Sequence, residues 1–145
     1  MVLFLIASKG VKLFGIRIVY RRVYRRRRRI ASAPSKMVFA ERKGEAMGIV
    51  MDRIAHFNKI YGFAVGRISI KNQTTRWGSC SKKGNLNYNY KLVYLPSELV
   101  DYLVVHELCH LGEFNHSRAF WSLVAKTIPN HVELRRVLKG VRIPH

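Results

Sequence analysis

Apolar positions along this chain change their spacing from segment to segment, and each spacing predicts a different element. Across residues 35–58, Val38, Ala46, Ile49, Ile54 and Phe57 recur at roughly three- and four-residue steps, which predicts a helix with one buried stripe. Tyr61 and Gly62 end it. Residues 63–71, FAVGRISIK, alternate in the manner of a strand. A second strand opens at Gly84, with Leu86, Tyr88 and Tyr90 on an apolar face and Asn85, Asn87 and Asn89 on an amide-rich one, before LVYL. Upstream, residues 11–20 are rich in β-branched and aromatic side chains and read as a further strand.

From Pro96 the stretch PSELVDYLVVHELCHL is apolar almost all round, the pattern of a buried helix. Pro96 suits a first helical turn, and Gly112 is placed for a left-handed cap at the other end. A next helix is expected from about Ser117 through Phe120, Trp121, Leu123 and Val124 to Pro129. Asn130 and Glu133 have capping-box spacing for a last short helix. The chain has no internal repeat.

Length and composition narrow the class. With 145 residues, 48% of them apolar and 11% aromatic, the chain is globular and large enough for one modest core. Its two cysteines, Cys80 and Cys109, are too few for a disulfide scaffold, so a reduced, cytoplasmic setting is expected. The formal charge of +19 is lopsided: residues 1–39 hold 11 basic residues and no acid, and the remainder holds 16 basic and 8 acidic residues. Seven arginines lie between Arg21 and Arg29, flanked by Tyr20 and Tyr24. Stacking and phosphate contact make nonspecific nucleic acid the expected partner of that arm, with an anionic membrane surface as the alternative. Lys9, Lys12 and Arg17 interrupt the apolar start of the chain, so neither a transmembrane segment nor a signal peptide is expected. Oligomeric state has no signature. Ser32, Pro34 and Ser35 mark a boundary, giving a basic arm over 1–34 and a domain over 35–145.

Chemistry concentrates in His106-Glu107-Leu108-Cys109-His110, an H-E-x-x-H pattern inside the buried helix. Residues four apart share a helical face, so the two imidazoles converge on one metal ion. Glu107 stands beside the first ligand, where its carboxylate serves as general base for water at the metal. A catalytic zinc takes three protein ligands and keeps one position open. His116, beyond the reversal at Gly112, is the favoured third ligand, and Glu113 and Glu133 are the alternatives.

Further residues cluster around this pattern. The run Thr75-Arg76-Trp77-Gly78-Ser79-Cys80-Ser81, then Gly84-Asn85-Leu86-Asn87-Tyr88-Asn89, then His106 to His110 with their flanks, then Asn115-His116-Ser117 with Phe120-Trp121, closely resembles the YgjP-like (WLM-type, SprT-related) metallopeptidases. The resemblance spans roughly residues 38–140. It implies an α+β, compact zincin-like domain: a backing helix, a short antiparallel sheet, the active-site helix and C-terminal helices. It also implies one zinc ion on His106, His110 and His116, with Glu107 catalytic and a peptide or protein as substrate. The polyarginine run is not part of the family pattern.

Other side chains carry weaker expectations. Arg76 is a candidate substrate contact at the cleft. Asn87 and Asn89 are candidates for pairing with an extended substrate along residues 85–90. Trp77, Phe120 and Trp121 are expected in the core, Cys80 as small buried packing, and Cys109 facing away from the metal. Tyr88, Tyr90 and His131 are the candidates for oxyanion stabilisation. Peptide hydrolysis is the leading function. Hydrolysis of a phosphoanhydride such as a nucleoside triphosphate at the same site, and a nucleic-acid-associated protein with structural zinc, are the alternatives.

Overall fold

The computed structural model describes residues 35–143. The expected strand at 11–20 and the arginine cluster lie outside the described residues. In chain order the elements are α1 (Ser35–Tyr61), β1 (Ile68–Lys71), β2 (Gly78–Cys80), β3 (Leu86–Asn89), a 3-10 turn (Tyr90–Tyr94), α2 (Ser97–Cys109), α3 (Arg118–Thr127) and α4 (His131–Gly140). No described helix is long and apolar enough to cross a membrane.

The long α1 is the backing helix. Ala46, Val50, Ile54 and Phe57 recur every three or four residues and are buried against the core. Gly62 ends it at φ +65°, a conformation that costs glycine nothing. Asn58 then clamps the turn, accepting from the Phe63 amide at 2.9 Å and donating to the Phe63 carbonyl at 2.9 Å. An ion pair between Arg53 and Asp101, 2.7 Å long, ties α1 to α2.

The sheet is mixed, which corrects the expectation of antiparallel pairing throughout. Its order is β1-β3-β2, with β1 parallel to β3 and β2 antiparallel to β3. The first strand is also shorter than its alternation suggests. Ahead of Ile68 the Arg67 amide bonds the side-chain oxygen of Asn85 at 2.9 Å in place of a backbone carbonyl, while the Arg67 carbonyl accepts from the Leu86 amide at 3.0 Å. At the other end β3 stops at Asn89, whose side-chain oxygen accepts from the Lys91 amide at 3.2 Å and starts the 3-10 turn. Tyr90 and LVYL therefore leave the sheet. The three-residue β2 is too short for any periodicity to mark it.

The helix α2 forms the centre of the domain. Leu99, Val104, Val105, Leu108 and Cys109 are fully buried, as the all-round apolar pattern predicts. After it, α3 is capped by Ser117, whose hydroxyl accepts from the Phe120 amide at 3.3 Å. The last helix, α4, starts after Asn130 without the side-chain cap expected there; the Asn130 backbone carbonyl serves instead, accepting from Glu133 at 3.1 Å.

Asn89 is fully buried and holds three strands of chain together. Its amide nitrogen donates to the carbonyls of Gln73 (2.7 Å) and Arg76 (3.1 Å) while its oxygen caps Lys91. Removing these partners strands buried backbone groups. Asn89→Ala is expected to lower unfolding free energy by about 2–4 kcal/mol, measured by denaturant titration.

Candidate metal centre

The histidines meet because α2 stays helical through its last ligand. His110 caps the helix at φ −65° and ψ −15°, so it sits one full turn beyond His106, with ring centroids 5.0 Å apart. The chain then reverses: the amides of Gly112 and Glu113 both bond the Cys109 carbonyl, at 3.1 and 3.0 Å. Gly112 does not adopt the left-handed cap expected of it, since only Gly62 and Gly84 have positive φ among the described residues. Glycine is needed there for space, because a Cβ would stand 2.9 Å from the Phe63 ring. That tight reversal returns His116 to the end of α2, its Nε2 3.1 Å from His106 Nε2.

One ring nitrogen from each of His106, His110 and His116 lies within 4.8 Å of the others. Tetrahedral zinc with bonds near 2.0–2.1 Å spaces its nitrogen ligands roughly 3.3 Å apart, so this cluster fits such an ion with small adjustment. Protonation states agree. Burial, then the neighbouring imidazoles, push His106 down to about 3, and burial also lowers His116. Neutral imidazoles are what a metal requires. His110 Nδ1 donates to the Glu113 carbonyl at 3.1 Å, which leaves Nε2 free to ligate. Neither Glu113 nor Glu133 joins the cluster.

A single ring underlies all three imidazoles. Phe120, fully buried, has centroids 5.0, 4.5 and 4.8 Å from those of His106, His110 and His116. Trp121 stacks on His116 at 5.6 Å and 27°, giving the most exposed of the three a wall. Phe120 is core, as expected. Trp121 is half-buried and lies against the core.

Glu107 is buried beside the cluster, 6% exposed, and burial raises its carboxyl to about 8 against the opposing charge of Arg76. Gly78 on β2 makes room for it: a Cβ there would stand 2.6 Å from Glu107 Oε1 and 2.8 Å from its Cγ. A cleft of about 640 Å³ is lined by Glu107, His106 and His116 together with Thr74, Thr75, Trp77 and Gly78 and with Arg135, Lys139 and Arg142.

Other expectations meet the coordinates unevenly. Arg76 is exposed and flanks the cleft without lining it, close enough for its charge to act on Glu107. Trp77 does line it, while packing on the core. The substrate-pairing expectation for residues 85–90 is overturned. Both sides of β3 are already paired, so it is no free edge; Asn89 is sealed in the interior and Asn87 donates to Ser79 Oγ at 3.3 Å. Cys80 is half-buried with its thiol pushed up to about 11 by burial, then by Glu107. Cys109, buried and likewise near 11, stays out of the cleft. None of Tyr88, Tyr90 and His131 lines the cleft: Tyr88 donates to the Val104 carbonyl at 3.4 Å, and His131 stacks on Trp121. Among the residues that do line it and had no role assigned from sequence are Gly78, Tyr102, Arg135, Lys139 and Arg142. Tyr102 was legible as the residue one turn before His106; Arg135 had no signal in the sequence.

Comparison with known proteins bears on this geometry. A family model described as YgjP-like, metallopeptidase domain, matches residues 16–140, beginning inside the segment set apart as a basic arm. No curated protein matches. Among solved structures, the chain is similar to the metallopeptidase zymogen of Pyrococcus abyssi abylysin, at 26% identity over 63% of this chain and 94% of that one, with a TM-score of 0.57. It is also similar to the metallopeptidase zymogen of Methanocaldococcus jannaschii jannalysin, at 25% identity over 66% of this chain and 97% of that one, with a TM-score of 0.49. The fold is α+β and zincin-like.

The stacking of Trp121 on His116 has a measurable consequence. Trp121→Leu is expected to weaken zinc affinity about tenfold while preserving the helical circular dichroism, as competition with a chromogenic chelator would read.

Proposed function

Because the chain belongs to the YgjP-like metallopeptidase family, we propose that it hydrolyses peptide bonds at the three-histidine cluster, with zinc as its metal and Glu107 as general base. The observation that carries this reading is the juxtaposition of three clustered imidazoles with a buried carboxylate that is not part of their cluster. His106, His110 and His116 would hold the ion. When bound, zinc supplies Lewis acidity toward a carbonyl oxygen and lowers the pKa of water to about 7.

The chain's own residues do the rest. Glu107 accepts a proton from the attacking water and returns it to the departing amine nitrogen. Its burial favours the protonated form, which makes the carboxylate a stronger base than an exposed one. Gly78 lets β2 close on that carboxylate and limits its rotation. Tyr102 lines the cleft from the same helix, with its hydroxyl 3.5 Å from His106 Nδ1. Arg135 is also at hand, and these two replace the earlier oxyanion candidates.

Cys80 and Cys109 stand outside the metal-binding cluster, so no fourth protein ligand among the described residues closes the site. That favours a working centre over a structural one. For a nucleotide substrate the family gives no support.

Glu107→Gln is expected to keep one equivalent of zinc and lose about 10²–10⁴-fold in kcat on a peptide library, measured against wild type. Retained activity would remove the assigned base. Dialysis against a chelator should abolish hydrolysis and added zinc should restore it; activity untouched by metal removal would sink the metallopeptidase reading. Gly78→Ala should lower kcat with the metal content intact.

A further inference from the structure

The charge of the cleft suggests what it accepts. Arg135 and Lys139, four residues apart, share one face of α4, and Arg142 follows just beyond it; all three line the cleft. Arg135 is held in place, its guanidinium 4.7 Å above the Trp121 ring. Its charge reaches His106, His116 and Tyr102, so it stands close to the metal cluster. Arg76, outside the lining, adds a positive charge close enough to act on Glu107. Against these, the acid lining the cleft is Glu107, buried at its floor. Glu133, the acid of α4, lines a neighbouring depression that Arg135, Arg136 and Lys139 also border, and it is not among the residues lining this cleft. A divalent ion on the histidines would add to the positive field.

Resting on the peptidase reading above, we infer that this wall selects peptides with carboxylates next to the bond to be cut. A basic peptide would meet Arg135 and Lys139 as like charges, while an acidic one gains both pairings, each modest because the two side chains are exposed. Nucleic acid shares the negative sign. The floor of the cleft is nevertheless a general base beside imidazole ligands, which suits an extended peptide crossing it.

The test uses the full-length, zinc-loaded Glu107→Gln protein, so that binding is read without turnover. Fluorescence anisotropy compares an amidated decapeptide bearing central glutamates with its glutamine isostere, and with the glutamine peptide carrying a free C-terminal carboxylate. The glutamate peptide is expected to bind roughly three- to tenfold more tightly than the amidated isostere, with the advantage shrinking as salt rises. If only the free C-terminus confers that gain, the carboxylate recognised is terminal and the side-chain assignment falls. Arg135→Gln with Lys139→Gln should reduce the preference below about twofold, and Lys139→Gln alone should reduce it partly without touching the Trp121 stack. Lys82→Gln with Lys83→Gln, an exposed pair away from the cleft, removes equal charge and should preserve it.

Equal affinity for both amidated peptides, no measurable binding of the glutamate peptide, or equal losses in both double variants would overturn the inference. So would a single-stranded oligonucleotide whose affinity drops more than the glutamate peptide's in the Arg135 and Lys139 variant. Cleavage of the glutamine peptide by wild type is scored separately. Selective binding without any cleavage defeats the peptidase reading and leaves the basic wall standing; cleavage without selectivity does the reverse.

Discussion

One helix has to be buried on nearly every side and still deliver a carboxylate and two imidazoles to a cleft, and the domain is arranged around that demand. Displacing the Glu107 carboxyl from 4.5 to about 8 corresponds to roughly 5 kcal/mol against its charged form. Fully burying Leu99, Val104, Val105 and Leu108 on the same helix contributes roughly 1.5–3 kcal/mol each, which more than offsets it. The backing helix, the sheet and the two C-terminal helices supply the surfaces against which those side chains are buried. Rigidity at the catalytic end follows from packing elsewhere along α2.

Two close approaches convert that buried helix into a site. Gly78 lets a β-strand lie against Glu107, and Gly112 lets the chain turn tightly against Phe63. Neither glycine is required for an unusual backbone angle. Both are required because a methyl group would occupy space already taken, one by the carboxylate and one by an aromatic ring. The three imidazoles then share Phe120 as a common floor, with Trp121 bracing the most exposed of them. The geometry of the three-histidine cluster is thus a matter of aromatic packing as much as of the histidines' own spacing.

Trp121 also links two parts of the cleft. It stacks on His116 at one contact and carries the Arg135 guanidinium at another. A cleft-lining charge thereby rests on the same ring that braces His116, so the electrostatics of the cleft and the geometry of the three-histidine cluster are mechanically joined.

Local patterns determined the elements that local physics controls. The 3.6-residue stripe of α1, the all-round apolar α2, the start of α3 near Ser117 and the four-residue spacing of His106 and His110 were all legible, because each depends on neighbours within a turn or two. The third histidine was legible as well, since only a short reversal separates it from α2. What only the tertiary structure decided depends on partners far apart in sequence. Pairing with β1 on one side and β2 on the other put β3 in the middle of the sheet, with Asn89 buried, and strand order of this kind leaves no periodicity in the chain. Gly78 facing Glu107, 29 positions away, and Arg135 reaching the cleft from the last helix arise the same way: residues far apart in sequence become neighbours through packing, and nothing in their local sequence records it.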